Sequence, residues 1–405
     1  MQYRPFGKTG FSVSALGLGA MRLPGTPFMP GSVDMKKAIT LIRHAVDSGI
    51  NYIDTAYFYH LGASERAIGR ALKDGFRDKV HLTTKLPMIL VRKPDDFERF
   101  LDEQLARLQV ERIDTYLFHA LNAKSFQMVK DFGFIERMEK ARSAGKIGNI
   151  GFSFHDTLPV FREIVDYYPW DVTQIQYNYL DTGIQATTVG LEYAHSKGMA
   201  VVIMEPLKGG TLVTPPAEAL AIMKKSAKRR TPVEWALQFL WDRKEVATVL
   251  SGMGTRRMVD ENCGYADTSG VGSLDSADRE TLTALVDCFR RQILVPCTAC
   301  GYCMPCPFGV NIPENFAILN YSNTTPRNLI DHYFRFTYSR LKYGRLARNG
   351  QTVNRDKPNG ASSLCRSCGQ CAPKCPQGID IPGDLSRAVA VMERGKPASE
   401  TFGLR

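Results

Sequence analysis

The feature that most constrains this chain is a repeated alternation. Over the first 275 residues, short apolar runs ending in small or polar residues are each followed by a helical pattern. Alternation of this kind gives parallel strands joined by helical crossovers. A small hairpin over Tyr3 to Val13, turning at Gly7-Lys8-Thr9-Gly10, comes first. Strands are then expected over Ser14–Ala20, Asn51–Thr55, Val80–Lys85, Arg112–Phe118, Ile147–Phe152, Val172–Tyr177, Met199–Met204 and Val246–Leu250. The intervening helices carry ordinary start and stop signals. Asp34 caps the first, whose Ala38, Ile39, Ile42, Ala45 and Val46 share a face, and Gly49 ends it. Eight such units without a larger insertion match an α/β chain closed into a (β/α)8 TIM barrel. A doubly wound open sheet needs a phosphate fingerprint after its first strand, and Gly17-Leu-Gly19 lacks the third glycine.

Beyond residue 275 the pattern changes. Residues 276–294 read as a linking helix, starting at Ser276 with Arg279 and Glu280 in a capping-box-like arrangement. Residues 295–405 hold eight of the ten cysteines, in two runs. The first is Cys297, Cys300, Cys303 and Cys306, the last followed by Pro307. The second is Cys365, Cys368, Cys371 and Cys375, followed by Pro376. Three cysteines at every third position, then a fourth before proline, is ferredoxin-type spacing for [4Fe–4S] clusters. The fourth cysteine of such a run usually ligates the other cluster. That pairs Cys375 with Cys297, Cys300 and Cys303, and Cys306 with Cys365, Cys368 and Cys371. The first run has two residues before its last cysteine where the second has three, which leaves open whether Cys306 stays with its own run. Zinc knuckles use separated pairs rather than triplets. The two runs continue alike, as Cys-Pro-Phe-Gly-Val-Asn-Ile-Pro and Cys-Pro-Gln-Gly-Ile-Asp-Ile-Pro. Between them, Pro313 to Leu346 is expected to be helical and is dense in aromatics, including Phe316, Tyr321, Tyr333, Phe334, Phe336, Tyr338 and Tyr343. Gln351 to Ser362 reads as a loop, and Ile379 to Glu393 as a closing helix. Cys263 and Cys288 are expected to be packing residues.

The formal net charge is +11. Arg327 to Lys357 carries eight Lys/Arg against two Asp, and a second knot is Lys224, Lys225, Lys228, Arg229 and Arg230. No nucleic-acid reader motif accompanies either, so nucleic acid is not an expected partner. A solvated basic face explains both, and an acidic redox carrier is a compatible partner. No apolar run is long enough to span a membrane and the start shows no signal-peptide core, so no membrane partner is expected. Thiolates destined for clusters suit a reducing, cytoplasmic location.

In a (β/α)8 barrel, chemistry gathers where the strands end. Those ends supply Asp54 and, in the loop after it, Tyr59; then Lys85, His119, Ser153, Gln176 and Glu205. An acid, a phenol, an amine and an imidazole converging on one rim form a proton-transfer set.

The carrying residues are Asp54-Thr-Ala-Tyr-Phe-Tyr59, Thr84-Lys85, Asp114-Thr-Tyr-Leu-Phe-His119, Gly151-Phe-Ser153, Gln174-Ile-Gln176-Tyr-Asn178, and Ser251-Gly-Met-Gly-Thr255 leading to Glu261-Asn262. On these residues the chain resembles an aldo-keto reductase fused to a ferredoxin-type domain. The resemblance implies an NAD(P)-dependent oxidoreductase that moves a hydride between nicotinamide and a small carbonyl, alcohol or sugar-like substrate. It implies Tyr59 as general acid, Lys85 as the cation that eases proton loss from a phenol whose ordinary pKa is about 10, Asp54 as the partner of Lys85, and His119 as the group orienting the carbonyl. For the nicotinamide amide it points to Ser153 and Gln176, with Met204 where an aromatic ring often stacks and Phe154 where Asn is common. Pro206, Leu207, Lys208 and Gly210, with Gly252, Gly254 and Thr255, are candidate phosphate contacts, since glycines let backbone N–H groups approach an anion. Asn262 belongs to the same nucleotide set. Arg256 or Arg257 could reach a 2′-phosphate, favouring NADP(H) over NAD(H), although Met258 stands where many relatives carry that arginine. The two clusters serve as electron carriers or as structural staples. A hydride carries two electrons and a [4Fe–4S] centre one, so direct coupling would need a splitter such as a flavin; the sequence shows no clear flavin motif, but flavins bind barrels without one. The alternative reading makes the barrel a scaffold for an electron-transfer or interaction protein; the complete tetrad argues against it.

Overall fold

Eight parallel strands close on themselves. The computed structural model describes residues 1–25, 32–324 and 360–403. In chain order the strands are β1 (Tyr3–Pro5), β2 (Ser12–Ser14), β3 (Leu16–Gly19), β4 (Tyr52–Asp54), β5 (His81–Leu86), β6 (Ile113–Leu121), β7 (Ile147–Phe154), β8 (Val172–Gln176), β9 (Ala200–Met204) and β10 (Val246–Ser251). β1 and β2 form the hairpin, and β3 to β10 form the barrel, closed where β10 pairs with both β9 and β3. Four of the barrel-strand ends coincide with the expectation and the others differ from it by one to three residues.

The hairpin plugs the N-terminal end of the barrel. Phe6 and Phe11 pack against His81, the first residue of β5, and Phe6 also against Tyr52, the first of β4. Asn51 ties the hairpin in place, accepting from the Ser14 amide at 2.7 Å and donating to the Ser12 carbonyl at 2.9 Å. Tyr52, Leu117, Val172, Ala200, Val202 and Leu250 fill the interior above this floor. Side chains alternate along a strand. The parity that turns Tyr52, Leu117 and Val202 inward therefore also turns Asp54, His119 and Met204 inward, one step nearer the C-terminal rim.

The first crossover helix, α1 (Met35–Asp47), shows why the outer layer holds. The Asp34 carboxylate accepts from the Lys37 amide and caps it, and Ala38, Leu41, Ile42, Ala45 and Val46 are buried. Each larger member of that face contributes about 1.5–3 kcal/mol by burial. Helices α2 (Ala63–Ala71), α3 (Asp96–Leu108), α4 (Ala123–Asp131), α5 (Phe134–Ser143), α6 (Leu158–Tyr167), α7 (Thr187–Ser196), α8 (Ala217–Lys225), α9 (Pro232–Trp241) and α10 (Arg256–Asp267) follow. The sequence reading does not anticipate α4 or α8.

By contacts the chain divides into two units: 1–206 with 233–275, and 207–232 with 276–405. Residues 207–232, which local periodicity places in the barrel run, group by contacts with the C-terminal unit. There α8 packs on α11 (Ser276–Gln292), with Glu218 paired to Arg291 at 2.6 Å. Gly209 approaches the Thr298 carbonyl so closely that a β-carbon would lie 2.1 Å from its oxygen, so only glycine fits. The core of this unit is Val295, Cys303, Val310, Ile312, Phe316, Leu319, Ile379, Ile381, Leu385 and Ala388. It lies between α12 (Ile312–Thr324) and the helix Ile381–Met392. Phe316 is fully buried. Tyr333, Phe334, Phe336, Tyr338, Tyr343 and the basic stretch Arg327–Lys357 lie outside the described residues. Among the described residues no helix is long and apolar enough to cross a membrane.

Candidate active site

The proton-transfer set meets at the C-terminal rim. Lys85 Nζ donates to both carboxylate oxygens of Asp54, at 2.7 Å each, and to the Thr55 carbonyl at 2.8 Å. Both side chains are buried. Burial works against both charges, raising the Asp54 carboxyl and lowering the Lys85 amine, while their mutual attraction opposes both shifts. The Gln174 side chain also favours the Asp54 carboxylate. Lys85 Nζ lies 5.2 Å from the centre of the Tyr59 ring. Tyr59 opens a short turn to Gly62 in which His60 (φ 51°) and Leu61 (φ 54°) are both left-handed. Backbone held in that region by non-glycine residues is typical of functional loops. His119 meets the Tyr59 ring edge-on at 6.1 Å and stacks on Phe58 at 4.8 Å. Burial first, then the Lys85 charge, pushes the His119 pKa well below its ordinary value.

Behind Lys85 sits a polar support that the sequence reading passed over. Glu65, on α2, is wholly buried and accepts from the Thr84 hydroxyl at 2.9 Å, Gln104 Nε2 at 2.7 Å and Arg107 Nη1 at 3.2 Å. Gln104, on α3, also donates to the Lys85 carbonyl at 3.2 Å.

The other candidates divide into groups. Ser153 Oγ accepts from the Ala120 amide at 2.7 Å, which leaves its own proton to donate. Gln176 Nε2 donates to Asp181 at 2.9 Å, and its oxygen accepts from Gln185 Nε2 at 3.1 Å. Met204 ends β9 half-buried, beside buried Pro206. Gly252 and Thr255 are exposed after β10 and Gly254 is partly so. Thr255 caps α10, accepting from the Met258 amide at 3.3 Å, and Arg256 and Arg257 are exposed on its first turn. Asn262 is buried and donates to Ser251 Oγ at 3.1 Å, so it steadies the end of β10. Leu207, Lys208 and Gly210 belong to the second unit, where Lys208 is buried with φ 47°.

The cysteines gather in two mixed quartets. Cys297, Cys300, Cys303 and Cys375 line one cavity with Ile312, Phe316 and Ile379. Cys371 lies among Cys365, Cys306 and Cys368. Burial, then the thiols of Cys300, Cys297 and Cys375, pushes the Cys303 thiol up to about 12; a cation among the sulfurs would reverse that. The two runs share one backbone form. Ala299 (φ 54°) and Gly301 (φ 80°) match Ser367 (φ 51°) and Gly369 (φ 75°), and the Ala299 and Ser367 amides each donate to the first sulfur of their run at 3.4 Å. Among the described residues no group of His, Cys, Asp or Glu converges on one point as a single metal ion requires. A cubane instead takes its thiolates at separate corners, which suits cavity-lining cysteines. Cys263 and Cys288 are buried apart from these, each pushed up to about 11 by burial.

A family model described as "Aldo/keto reductase family" matches residues 15–279, and one described as "4Fe-4S dicluster domain" matches residues 296–379. The chain belongs to the aldo/keto reductase family. It is 30% identical over 308 residues to L-galactose dehydrogenase of Arabidopsis thaliana, covering 70% of this chain and 92% of that protein. It is 30% identical over 229 residues to NADH-specific methylglyoxal reductase of Escherichia coli (strain K12), covering 52% and 69%. Among solved structures it resembles an aldo-keto reductase from Bacillus halodurans in its holo form, with TM-score 0.59 and 25% identity over 70% of this chain and 96% of that one. This aldo/keto reductase is an NAD(P)-dependent oxidoreductase whose barrel sequence is followed, along the chain, by an iron–sulfur-type domain.

Proposed function

We propose that the barrel reduces the carbonyl of a small aldehyde, ketone or open-chain sugar, or runs the reverse oxidation, through Asp54, Tyr59, Lys85 and His119. The bound nicotinamide supplies or accepts the hydride. Tyr59 gives its phenolic proton to the carbonyl oxygen as that oxygen gains charge. The Lys85 ammonium, 5.2 Å from the ring centre, stabilises the phenolate left behind. Asp54 keeps that ammonium charged although it is buried. His119, neutral because its pKa is pushed down, donates an N–H to the same oxygen and orients it. Ser153 and Gln176 hold the nicotinamide amide, and backbone N–H groups over Gly252–Thr255 hold phosphate. The exposed Arg256 and Arg257 support NADPH over NADH. The observation that carries this reading is the buried Lys85–Asp54 pair set beneath the Tyr59 ring. Tyr59→Phe should lower kcat/KM with NADPH and a panel of carbonyls by about 10²–10⁴-fold; unchanged turnover sinks the reading.

The C-terminal unit is proposed to hold two [4Fe–4S] clusters, one on Cys297, Cys300, Cys303 and Cys375, the other on Cys365, Cys368, Cys371 and Cys306. The cavity shared by three cysteines of the first run and one of the second supports this pairing. Protein purified without oxygen should contain about eight iron atoms per chain, and Cys375→Ala should lose about half. If NAD(P)H, with or without added flavin, leaves the cluster absorbance unchanged, the clusters serve as staples rather than carriers.

A further inference from the structure

Asp181, Gln176, Gln185 and His155 form one hydrogen-bonded chain where β7 and β8 reach the rim. Its direction is fixed from one end. A carboxylate only accepts. Gln176 Nε2 donates to Asp181 Oδ2 at 2.9 Å, so the Gln176 oxygen faces the other way. That oxygen accepts from Gln185 Nε2 at 3.1 Å, which turns the Gln185 oxygen onto His155 Nδ1, 3.1 Å away. An amide oxygen also only accepts, so Nδ1 carries the proton. In a neutral imidazole Nε2 is then a lone pair. Asn178 anchors the head of the chain. Its Nδ2 donates to Asp181 Oδ2 and to the Glu205 carbonyl, both at 3.0 Å, and its Oδ1 accepts from the Leu180 and Asp181 amides.

His155 is held near His119. Its amide donates to the Leu121 carbonyl at 2.9 Å, at the end of the strand that carries His119. A charge on His155 would disfavour one on His119. Burial pushes the His155 pKa down to about 4, with the Gln185 bond opposing, so the ring is neutral near pH 7. Nε2 has no hydrogen-bond partner among the described residues.

We propose that His155 is a specificity residue whose Nε2 lone pair accepts a hydrogen bond from a substrate hydroxyl next to the reacting carbonyl. It thereby selects hydroxy-aldehydes and hydroxy-ketones over their deoxy counterparts. This deepens, and rests on, the carbonyl reduction proposed above. A hydroxyl can satisfy an acceptor, whereas an alkyl group leaves it unpaired, and sites built to bond a hydroxyl discriminate on that basis. Gln185 and Asp181 act through His155 and are positioning residues.

The test measures kcat/KM for matched pairs, lactaldehyde with propanal and hydroxyacetone with butanone, using NADPH and NADH. The wild type should favour the hydroxylated member by about tenfold or more, as one hydrogen bond allows. His155→Phe should bring the ratio near unity. His155→Gln, which sets an amide oxygen near the place of Nε2, should restore part of it. Gln185→Leu should lower the ratio, and ring nitrogen-15 spectra should show the Nδ1–H form of His155 in the wild type and its loss in Gln185→Leu. A wild-type ratio near unity, a ratio unmoved in His155→Phe, or an Nε2–H ring in the wild type overturns the proposal. If His155→Phe does not fold, the Gln185→Leu ratio and the wild-type ring spectra decide. Tyr59→Phe separates the two levels. If it abolishes reduction of both members while His155→Phe leaves the ratio alone, only the His155 role fails. If Tyr59→Phe reduces both as well as the wild type, or the wild type reduces neither, the reductase reading fails and takes this proposal with it.

Discussion

The barrel interior holds two buried imidazoles, His81 at its floor and His119 at its rim. Singly they look alike. Burial pushes His81 down to about 4 and His119 well below its ordinary value. Each stacks on an aromatic ring, His81 on Tyr52 at 5.7 Å and His119 on Phe58 at 4.8 Å. Their neighbours separate them. His81 is closed in by Phe6 and Phe11 and bonds Thr115 Oγ at 2.7 Å. His119 faces a phenol from the loop after β4 and a charged amine from β5. A depressed pKa therefore reports burial. Convergence of different proton-bearing groups is what marks a site.

Four outcomes would break or sharpen this contrast. The largest belongs to the rim. Lys85→Met leaves Asp54 as a buried carboxylate without its cation and should cost about 3–5 kcal/mol in denaturant unfolding. A variant as stable as the wild type would mean that the pair is not buried in solution. The next belongs to the floor. Below its ordinary pKa of about 6.5, His81 takes up a proton in the unfolded chain that the folded chain refuses until about pH 4. Stability should therefore fall as pH drops from about 6.5 to 4, by on the order of 3 kcal/mol for this ring. His81→Gln should flatten that part of the curve, with the remaining slope coming in part from His155. Third, Thr115→Val strips His81 of its hydrogen bond and should cost about 1–3 kcal/mol, read as a lower melting temperature in an enzyme that still turns over. The smallest effect is an expected flat line. His119 stays neutral, so log kcat/KM should show no break near pH 6.5; a break that His119→Gln removes would show that it titrates normally.

Much of this was legible beforehand, for physical reasons. Strand–helix alternation survives in sequence because each crossover must bury one face and each barrel strand both. Asp54, Lys85 and His119 could be found because strand ends are locatable and inward parity is fixed by a period of two. What escaped was non-local. The grouping of residues 207–232 with 276–405 has no local signature. Helix α4 is capped by Asn122 and Ser125, which cap each other, a pair without the usual glutamate. Glu65 and Gln104 read as ordinary polar helix residues. Gln104 follows Phe100 and Leu101 at helical spacing, so it falls on the buried face of α3. A polar residue in an apolar stripe was the available signal. Asp181 and Gln185 lie in a loop with no period, and only their hydrogen bonds identify them.

The mixed cysteine quartets bear on how the protein is made. Cys375 follows Cys303 by 72 residues. At ordinary rates of synthesis the ribosome needs roughly 4–14 s to cover that stretch. During that interval the first three thiols have emerged without the sulfur that closes their set, while the barrel, emerging earlier, can already fold. If the chain holds the two clusters proposed above, neither could be completed until both runs were synthesised, so delivery of iron and sulfide would come late and for both at once. Damage to the second run would strip a ligand from the first.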